Sequence, residues 1–321
     1  MYIKRYLLSA LCSVVSYGAF AQSDVTEKEI AAHISFLASK KMAGRFPGTK
    51  ENKKTVNYLI KNFRKAGVKP FGTSYIQEFS AKIRVKKGVT DTPIVKTQNV
   101  IGFIEGNDPL LKHEYIVLGA HYDHLGMGGP SSKKPDTVGV HLGADDNASG
   151  TAALLEIAEK LQANSKDLKR SILFIAFGAE EQGLLGSKYF VEHPVVPLSS
   201  IKLMMNMDMV GRMNSEKHLY MGGAASFNGG MELMKGLGPQ VGINPLVIAY
   251  DVGGSDHVSF FKKNISVLGF HTGGHPQYHT PEDDFAHINV PGEKLVCDYI
   301  YKAIVSVANR EGVISFIPEK K

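Results

Sequence analysis

Short apolar runs alternate with helical patterns along most of this 321-residue chain, and this alternation constrains the fold more than any other feature. The apolar runs are continuous and contain many β-branched residues. Continuous apolar strands separated by helices are typical of a sheet that helices cover on both faces, with parallel strands at its centre. The five runs begin at residues 99, 114, 171, 201 and 265 and read NVIGFIEG, EYIVLGAHY, SILFIAFGA, IKLMMNMD and ISVLGFHT.

Helical patterns lie before and between these runs. Apolar residues at three- and four-residue spacing predict helices over residues 26–39, 49–66, 148–163 and 293–308. A less regular extended region follows the second helix, to about Lys96. Because the chain has no internal repeat, low-complexity linker or clear boundary, we expect one α/β domain over residues 22–321 that begins with an N-terminal helical region, residues 22–96.

The first residues have the pattern of an export signal. Lys4 and Arg5 precede an apolar stretch, and Ala19-Phe20-Ala21 matches the small-x-small pattern of a cleavage site. The apolar stretch is short for a membrane anchor and is interrupted by Ser and Gly. We therefore expect residues 1–21 to be a cleaved signal peptide, and the mature chain to be periplasmic or secreted without stable membrane insertion.

Cysteine content and charge exclude two classes of protein. Cleavage near Ala21 would remove Cys12 and leave Cys297 alone, so the chain is not a scaffold held by internal disulfides. A chain of this length can bury a sizeable core without them. The formal net charge is +6, and the basic residues are scattered rather than clustered, so nucleic-acid binding is not indicated.

Polar residues that can bind metals follow four of the five apolar runs. They are His121 and Asp123 after the apolar part EYIVLGA of the second run, Glu180 and Glu181 after the third run, Asp208 after the part IKLMMNM of the fourth, and His271, His275 and His279 after the part ISVLGF of the fifth. In open sheets of this kind, ligands bind outside the carboxyl ends of the strands. Imidazole and carboxylate groups without thiolates suit Zn²⁺ or a similar divalent ion.

Glu180 and Glu181 are adjacent acids at the end of a strand that is expected to be buried. Neighbouring like charges repel, and partial burial increases the repulsion. A cation resolves this conflict if one glutamate binds metal while its neighbour takes the proton from a metal-bound water. The alternative is a solvated surface turn, which the apolar strand before the pair disfavours.

The segment GADDNASG, residues 143–150, precedes a predicted helix and has two interpretations. Its acids are suited to capping that helix, since Asp and Asn favour helix N-termini. They exceed what one cap requires, however, so one carboxylate is also a candidate to bridge two cations. In a strand His121 and Asp123 would point the same way, so Asp123 is a candidate to hold the second ring nitrogen of His121.

Other histidines and a Ser-Asp-His sequence are assigned no direct part in the chemistry. We expect His124 to be an ordinary polar loop residue, and His271 and His275 either to line the mouth of the site or to be loop residues. Residues 255–257 read Ser-Asp-His, but consecutive residues do not readily form a catalytic triad. We expect them to cap a helix, shape a pocket or support the site.

Six motifs together resemble metallopeptidase family twenty-eight, the di-zinc aminopeptidases typified by secreted bacterial leucyl aminopeptidases. They lie between about residues 99 and 284, in the order found in the family, and read LGAHYDHLG, GADDNASG, FGAEEQGLLGS, NMDMVG, GGSDHVSF and QYHTPEDD. The resemblance implies a mixed, centrally parallel sheet sandwiched by helices, the zinc-peptidase or phosphorylase/hydrolase-like fold. It also implies two Zn²⁺ ions per chain and cleavage of the N-terminal bond of peptides that have a free N-terminus.

The resemblance also assigns the metal ligands. Asp146, the second acid of GADDNASG, would bridge both zinc ions. His121 and Asp208 would complete one zinc site. Glu181 and His279 would complete the other.

Three further roles follow from the same resemblance. Glu180 would be the general base for a hydroxide that bridges the zinc ions. Tyr278 would stabilise the tetrahedral oxyanion, and Asp123 would orient His121. Members of the family also tend to have a cis peptide bond after the bridging aspartate, here between Asp146 and Asn147.

Four departures or alternatives accompany this resemblance. The span from Phe79 to Asn99 is too short for the protease-associated domain that many larger relatives insert. A glutaminyl cyclase shares the fold but uses one zinc for aminoacyl transfer, and a related carboxypeptidase would need an arginine cluster that is not evident. A non-enzymatic receptor of this fold would lack ligands. The complete set of five ligands favours two metals and hydrolysis.

Overall fold

One mixed sheet forms the centre of the molecule. The computed structural model describes residues 24–85 and 88–319, so the expected signal peptide lies outside the described residues. Within those residues the sheet has nine strands. They are β1 (Lys69–Pro70), β2 (Ile76–Lys82), β3 (Ile94–Ile104), β4 (Tyr115–His121), β5 (Ser171–Phe177), β6 (Ile201–Met207), β7 (His218–Gly222), β8 (Asn244–Val247) and β9 (Ser266–His271).

The strand order is β1-β3-β5-β4-β6-β9-β7-β8, and β2 also pairs with β3. The four central strands β5, β4, β6 and β9 are mutually parallel. β3 and β7 flank them in antiparallel orientation. The prediction of a mixed, centrally parallel sheet in a single α/β domain is therefore confirmed. β1 and β2 also belong to this sheet, so the N-terminal region contributes strands as well as helices.

Seven α-helices are described. They are α1 (Glu27–Leu37), α2 (Lys50–Ala66), α3 (Gly150–Ala163), α4 (Leu185–Glu192), α5 (Gly230–Val241), α6 (His257–Phe261) and α7 (Val290–Ala308). Thr26 and Thr49 cap the first two helices, because each hydroxyl accepts a hydrogen bond from a backbone N–H of the first turn. Gly67 ends α2 in the left-handed conformation, as the sequence indicates.

The helices cover both faces of the sheet. In β4, Ile116 and Leu118 belong to a large core cluster that includes residues of α3 and α7, whereas Val117 faces a second cluster with Phe190 of α4 and Phe260 of α6. All five side chains are fully buried, and burial of each stabilises the fold by roughly 1.5–3 kcal/mol. This double coverage explains why the central strands are continuously apolar.

Within residues 24–85 and 88–319, no helix combines the length and the apolar character needed to cross a membrane. Cys297 is a free thiol, fully buried within α7.

Glu293, in the first turn of α7, is a fully buried acid. Neither of its carboxylate oxygens has a hydrogen-bond partner among the described residues. Burial raises the pKa of this carboxyl well above its ordinary value, and the nearby carboxylates of Asp145 and Glu156 raise it further. Between the ordinary and the raised pKa, the unfolded chain binds fewer protons than the folded chain, so stability falls as pH rises through this window.

We expect the variant Glu293→Gln to lose this contribution to the pH dependence. As pH rises above the ordinary pKa of a glutamate, the free energy of unfolding of the wild type should fall relative to that of the variant. Urea unfolding measures the difference, with Glu311→Gln as a control because Glu311 is exposed and should follow the wild type. If the difference in the free energy of unfolding between Glu293→Gln and wild type does not change with pH, a raised pKa of Glu293 is contradicted.

Candidate active site

The carboxyl ends of the four parallel strands meet at one edge of the sheet, where they surround a cavity of about 380 Å³. β4 ends at His121, Asp208 directly follows β6, and Glu180 and His279 lie in the segments that follow β5 and β9. All four line the cavity, together with Asp146, Glu181 and Tyr278. The structure therefore brings the predicted ligands, general base and tyrosine to one place.

The first group of candidate ligands is His121, Asp146 and Asp208. His121 Nε2 lies 3.3 Å from Asp146 Oδ1 and 3.4 Å from Asp208 Oδ1. One ligand atom from each residue lies within 4.8 Å of the other two, which is compatible with a shared metal ion.

The second group lies on the other side of the same aspartate. His279 Nε2 is 3.1 Å from Asp146 Oδ2 and 3.2 Å from Glu181 Oε2. One oxygen of Asp146 thus faces His121 while the other faces His279 and Glu181. A carboxylate placed between two donor groups in this way is arranged to bridge two cations.

The expectation that His124 is an ordinary loop residue is wrong. Its side chain is fully buried, and its Nδ1 lies 2.7 Å from Glu181 Oε1 and 3.7 Å from Asp146 Oδ2. His124, Asp146 and Glu181 also form a group whose ligand atoms lie within 4.8 Å of one another. The only signal in the sequence is its position three residues after His121, and that spacing does not reveal which way the turn after β4 directs the ring.

Asp123 contacts its neighbours differently from the expectation. His121 Nδ1 lies 3.2 Å from the main-chain oxygen of Asp123 but 3.9 Å from its carboxylate. The expectation assumed strand geometry, whereas β4 ends at His121. The Asp123 carboxylate instead accepts a hydrogen bond of 2.9 Å from the backbone N–H of Glu180. This hydrogen bond therefore joins the segment after β5, which carries Glu180, to the turn that follows β4.

The segment between β4 and GADDNASG supports His279. The Ser131 carbonyl oxygen lies 2.8 Å from His279 Nδ1, and the Lys133 backbone N–H donates to the carbonyl of His279. The Lys133 ammonium lies 4.2 Å from the ring centroid of Tyr278. Such contacts fix the orientation of a metal-binding imidazole. Sequence reasoning missed Ser131 because a backbone carbonyl leaves no signature in residue type.

The structure also locates the other histidines and the Ser-Asp-His sequence, for which more than one role was open. His271 lines the cavity, whereas His275 Nε2 lies 3.2 Å from Asp145 Oδ2. Ser255 Oγ accepts a hydrogen bond from the Asn206 side chain, and the ring of His257 contacts the carbonyl of Val252. Ser255 and His257 thus contact other residues. This agrees with the expectation that three consecutive residues do not form a catalytic triad.

The electrostatics of the cavity are dominated by acids. Burial opposes charge on His121, but the carboxylates of Asp208 and Glu180 outweigh it and raise the pKa of the imidazole well above its ordinary value. Burial likewise opposes charge on His279, while Asp146 and Glu181 raise its pKa to about 10. The carboxylates around His121 and His279 therefore favour positive charge in the cavity.

The surroundings of Glu180 favour binding of a proton to its carboxyl. Burial raises the pKa of its carboxyl well above the ordinary value; the charge of His121 opposes the shift and the nearby Asp256 adds to it. The site thus combines buried carboxylates, imidazoles and no thiolate among the cavity-lining residues. This is the donor set that suits zinc, and the residues fit a pair of such ions.

Three residues at the site have an unusual backbone conformation. Ala179, Met209 and His279 have φ values of 57°, 61° and 58°. Residues other than glycine rarely adopt positive φ, and those that do are concentrated at functional sites. The first two are each adjacent to a predicted catalytic or ligand residue, and the third is itself a predicted ligand. The Asp146–Asn147 peptide bond is cis, as the resemblance implies.

Comparison with known proteins identifies the family. The profile described as Peptidase family M28 matches residues 99–304. Aminopeptidase YwaD of Bacillus subtilis is 32% identical over 250 residues, which are 75% of this chain and 50% of that protein. The chain thus spans about half the length of this curated relative.

Solved structures support the fold. A zinc aminopeptidase from Bacillus subtilis superposes with a TM-score of 0.68 at 21% identity, covering 88% of this chain and 96% of that one. Glutaminyl cyclase from Porphyromonas gingivalis superposes with a TM-score of 0.69 at 21% identity, covering 87% and 98%. Because the profile matches well over half of the residues, the chain belongs to peptidase family M28.

Proposed function

We propose that this protein is an exported zinc-dependent aminopeptidase that binds two zinc ions and removes the first residue of peptides with a free N-terminus. The observation that carries the proposal is the position of Asp146, whose two carboxylate oxygens face two different donor groups. The signal-like segment at residues 1–21 supports export, and the sequence relationship to a curated aminopeptidase supports the reaction class.

The contacts support the ligand assignment that the family resemblance implies. His121 and Asp208 complete the site on the Oδ1 side of Asp146. Glu181 and His279 complete the site on the Oδ2 side. His124 contacts Glu181 Oε1, while Oε2 faces His279, so Glu181 and His279 are the pair that would hold the second ion.

Glu180 is assigned the proton transfer. Bound zinc ions would activate a water as the nucleophile and polarise the carbonyl that it attacks. The Glu180 carboxylate lines the cavity, takes the proton of the attacking water and delivers it to the nitrogen of the leaving amine. The hydrogen bond from its backbone N–H to Asp123 fixes the segment that presents this carboxylate.

Tyr278 is assigned to the developing oxyanion. It lines the cavity, and its ring stacks on that of His279 with the ring centroids 3.8 Å apart. Burial raises the pKa of its phenol, and the carboxylates of Asp146 and Glu181 raise it further, so the hydroxyl keeps its proton. A neutral hydroxyl at this position donates a hydrogen bond to the oxygen that gains negative charge in the transition state.

The charge of the cavity favours substrates with a free amino group. Among the described residues that line it there is no Lys or Arg, whereas Asp146, Glu180, Glu181, Asp208 and Asp251 contribute five acids. A substrate carboxylate would therefore find no lysine or arginine in the cavity wall, whereas Asp251, an acid that is not assigned to a metal, is present for a substrate ammonium. This supports an aminopeptidase over a carboxypeptidase.

Chromogenic amides test the proposal. Zinc-loaded protein should release p-nitroaniline from leucyl-p-nitroanilide and from other aminoacyl anilides, and should not release it from the N-acetylated forms. Glutaminyl peptides should be hydrolysed rather than cyclised. Equal rates with free and acetylated substrates would contradict the assignment of an aminopeptidase, and cyclisation of N-terminal glutamine would assign the chain to the cyclases.

A further inference from the structure

A buried arginine lies behind the candidate metal centre. Arg45 ends the turn Lys40–Arg45 between α1 and α2, and its side chain is fully buried. Its guanidinium donates four hydrogen bonds, all to backbone carbonyls. Nε donates to Tyr122 at 2.7 Å, Nη1 to Leu37 at 2.7 Å and to Leu142 at 2.8 Å, and Nη2 to Gly143 at 2.9 Å.

Three of these carbonyls belong to the two segments that supply metal ligands. Tyr122 lies between His121 and Asp123, directly after β4. Leu142 and Gly143 lie shortly before Asp146 in the loop that leads to α3. One planar side chain therefore joins the end of β4 to the loop that carries the bridging carboxylate, although many residues of chain separate them.

The turn that carries Arg45 is itself held in place. Ala43, Gly44 and Arg45 all have positive φ, a conformation that persists in non-glycine residues only where the surroundings enforce it. A Cβ atom at Gly44 would lie 2.4 Å from the carbonyl oxygen of His141, so the turn is pressed against the same loop. The side-chain amide of Asn52 donates to the carbonyl of Arg45 at 2.9 Å.

The charge of Arg45 also acts on the site. Burial lowers the pKa of its guanidinium to about 10, and the carboxylates of Asp146 and Asp123 oppose that shift, so Arg45 is positively charged at neutral pH. Its hydrogen bonds go to carbonyls. It therefore offsets the negative charge of the acids without occupying the carboxylate oxygens of Asp146 that face the two donor groups.

We propose that Arg45 is a positioning residue for the metal centre, which sets the spacing between His121 and the loop of Asp146 before zinc binds. This inference rests on the zinc centre of the proposed function. Lysine cannot replace arginine here, because a single ammonium lacks the planar fork that reaches several carbonyls at once. Loss of the hydrogen bonds that Arg45 donates should weaken zinc binding by about 10- to 100-fold, as is typical when residues that support metal ligands are removed.

The chain contains a matched control for this test. Arg170 is also fully buried, and it bonds to Glu114 and to the carbonyls of Val307, Arg310 and Gly312, at the opposite end of β5 from the site. Arg45→Lys and Arg170→Lys should both lower the melting temperature. Zinc affinity is then measured by competition with a chromogenic chelator, at a temperature where circular dichroism shows both variants folded.

The proposal predicts that Arg45→Lys binds zinc about 10- to 100-fold more weakly than wild type, while Arg170→Lys stays close to wild type. If Arg45→Lys does not fold, Asn52→Ala, which removes the bond to the Arg45 carbonyl, should weaken zinc binding in the same direction. Wild-type zinc affinity in Arg45→Lys, or in Asn52→Ala where that variant replaces it, would overturn the role of Arg45 and leave the proposed function intact. Absence of zinc binding by the wild type would overturn both.

Discussion

Replacing Glu180 by glutamine is expected to lower kcat by about 100- to 10,000-fold while the protein keeps its zinc. Glutamine has nearly the same shape but cannot accept the proton of the attacking water. In the proposed assignment Glu180 is not a ligand, so the donor groups around Asp146 remain complete. The high pKa that burial gives to Glu180 is consistent with a group that must hold a proton before passing it on.

The adjacent acid supplies the control for this variant. Glu181→Gln should lose both activity and zinc, because Glu181 Oε2 faces His279 Nε2 across the second donor group. Both variants are compared by hydrolysis of leucyl-p-nitroanilide and by zinc content after desalting. If Glu180→Gln loses zinc while Glu181→Gln keeps it, the two roles are exchanged. If Glu180→Gln retains wild-type kcat, the assignment of the base is wrong.

Replacing Asp146 by asparagine is expected to abolish activity and to release most of the bound zinc. The asparagine side chain has one oxygen and no charge, so it cannot serve both donor groups. It would also leave His121 and His279 without the carboxylate that lies between them. In the proposed arrangement, loss of the shared ligand affects both metal sites at once, so this variant should have a larger effect on zinc content than Asp208→Asn.

Asp145→Asn is the matched control for Asp146→Asn. Asp145 is adjacent and equally buried, but its carboxylate accepts a hydrogen bond from the backbone N–H of Gly211 and lies beside His275. It should therefore keep its zinc. Equal zinc loss in both variants, measured by elemental analysis, would show that the effect comes from disturbing the loop rather than from removing a bridging carboxylate.

The central sheet and most of the site were predictable because burial and parallel pairing act directly on residue type. Strands covered on both faces must be apolar, so β4, β5, β6 and β9 are visible as continuous runs. Parallel strands share one carboxyl edge, so the polar residues that follow them meet there. The bounds of β7 and β8 are not indicated in this way, because they are short strands near one edge of the sheet and have no continuous apolar run.

The contacts that the sequence did not reveal involve backbone groups or local turns. Ser131 contacts His279 through its own carbonyl oxygen, and Arg45 donates hydrogen bonds to the carbonyl oxygens of other residues. Every residue has such an oxygen, so residue type does not reveal these contacts. The burial of His124 and the contact of Asp123 with Glu180 depend on how the chain turns after β4. Residue spacing defines side-chain direction within a strand, but it does not do so in the turn beyond the strand end.

The zinc content of the purified wild-type chain tests the proposed pair of zinc ions. Elemental analysis is made after dialysis, together with the rate of leucyl-p-nitroanilide hydrolysis as zinc is added back to chelator-treated protein. We expect about two zinc ions per chain, with full activity reached only when both sites are filled. One zinc per chain with full activity, or activity that survives complete removal of metal, would contradict this expectation.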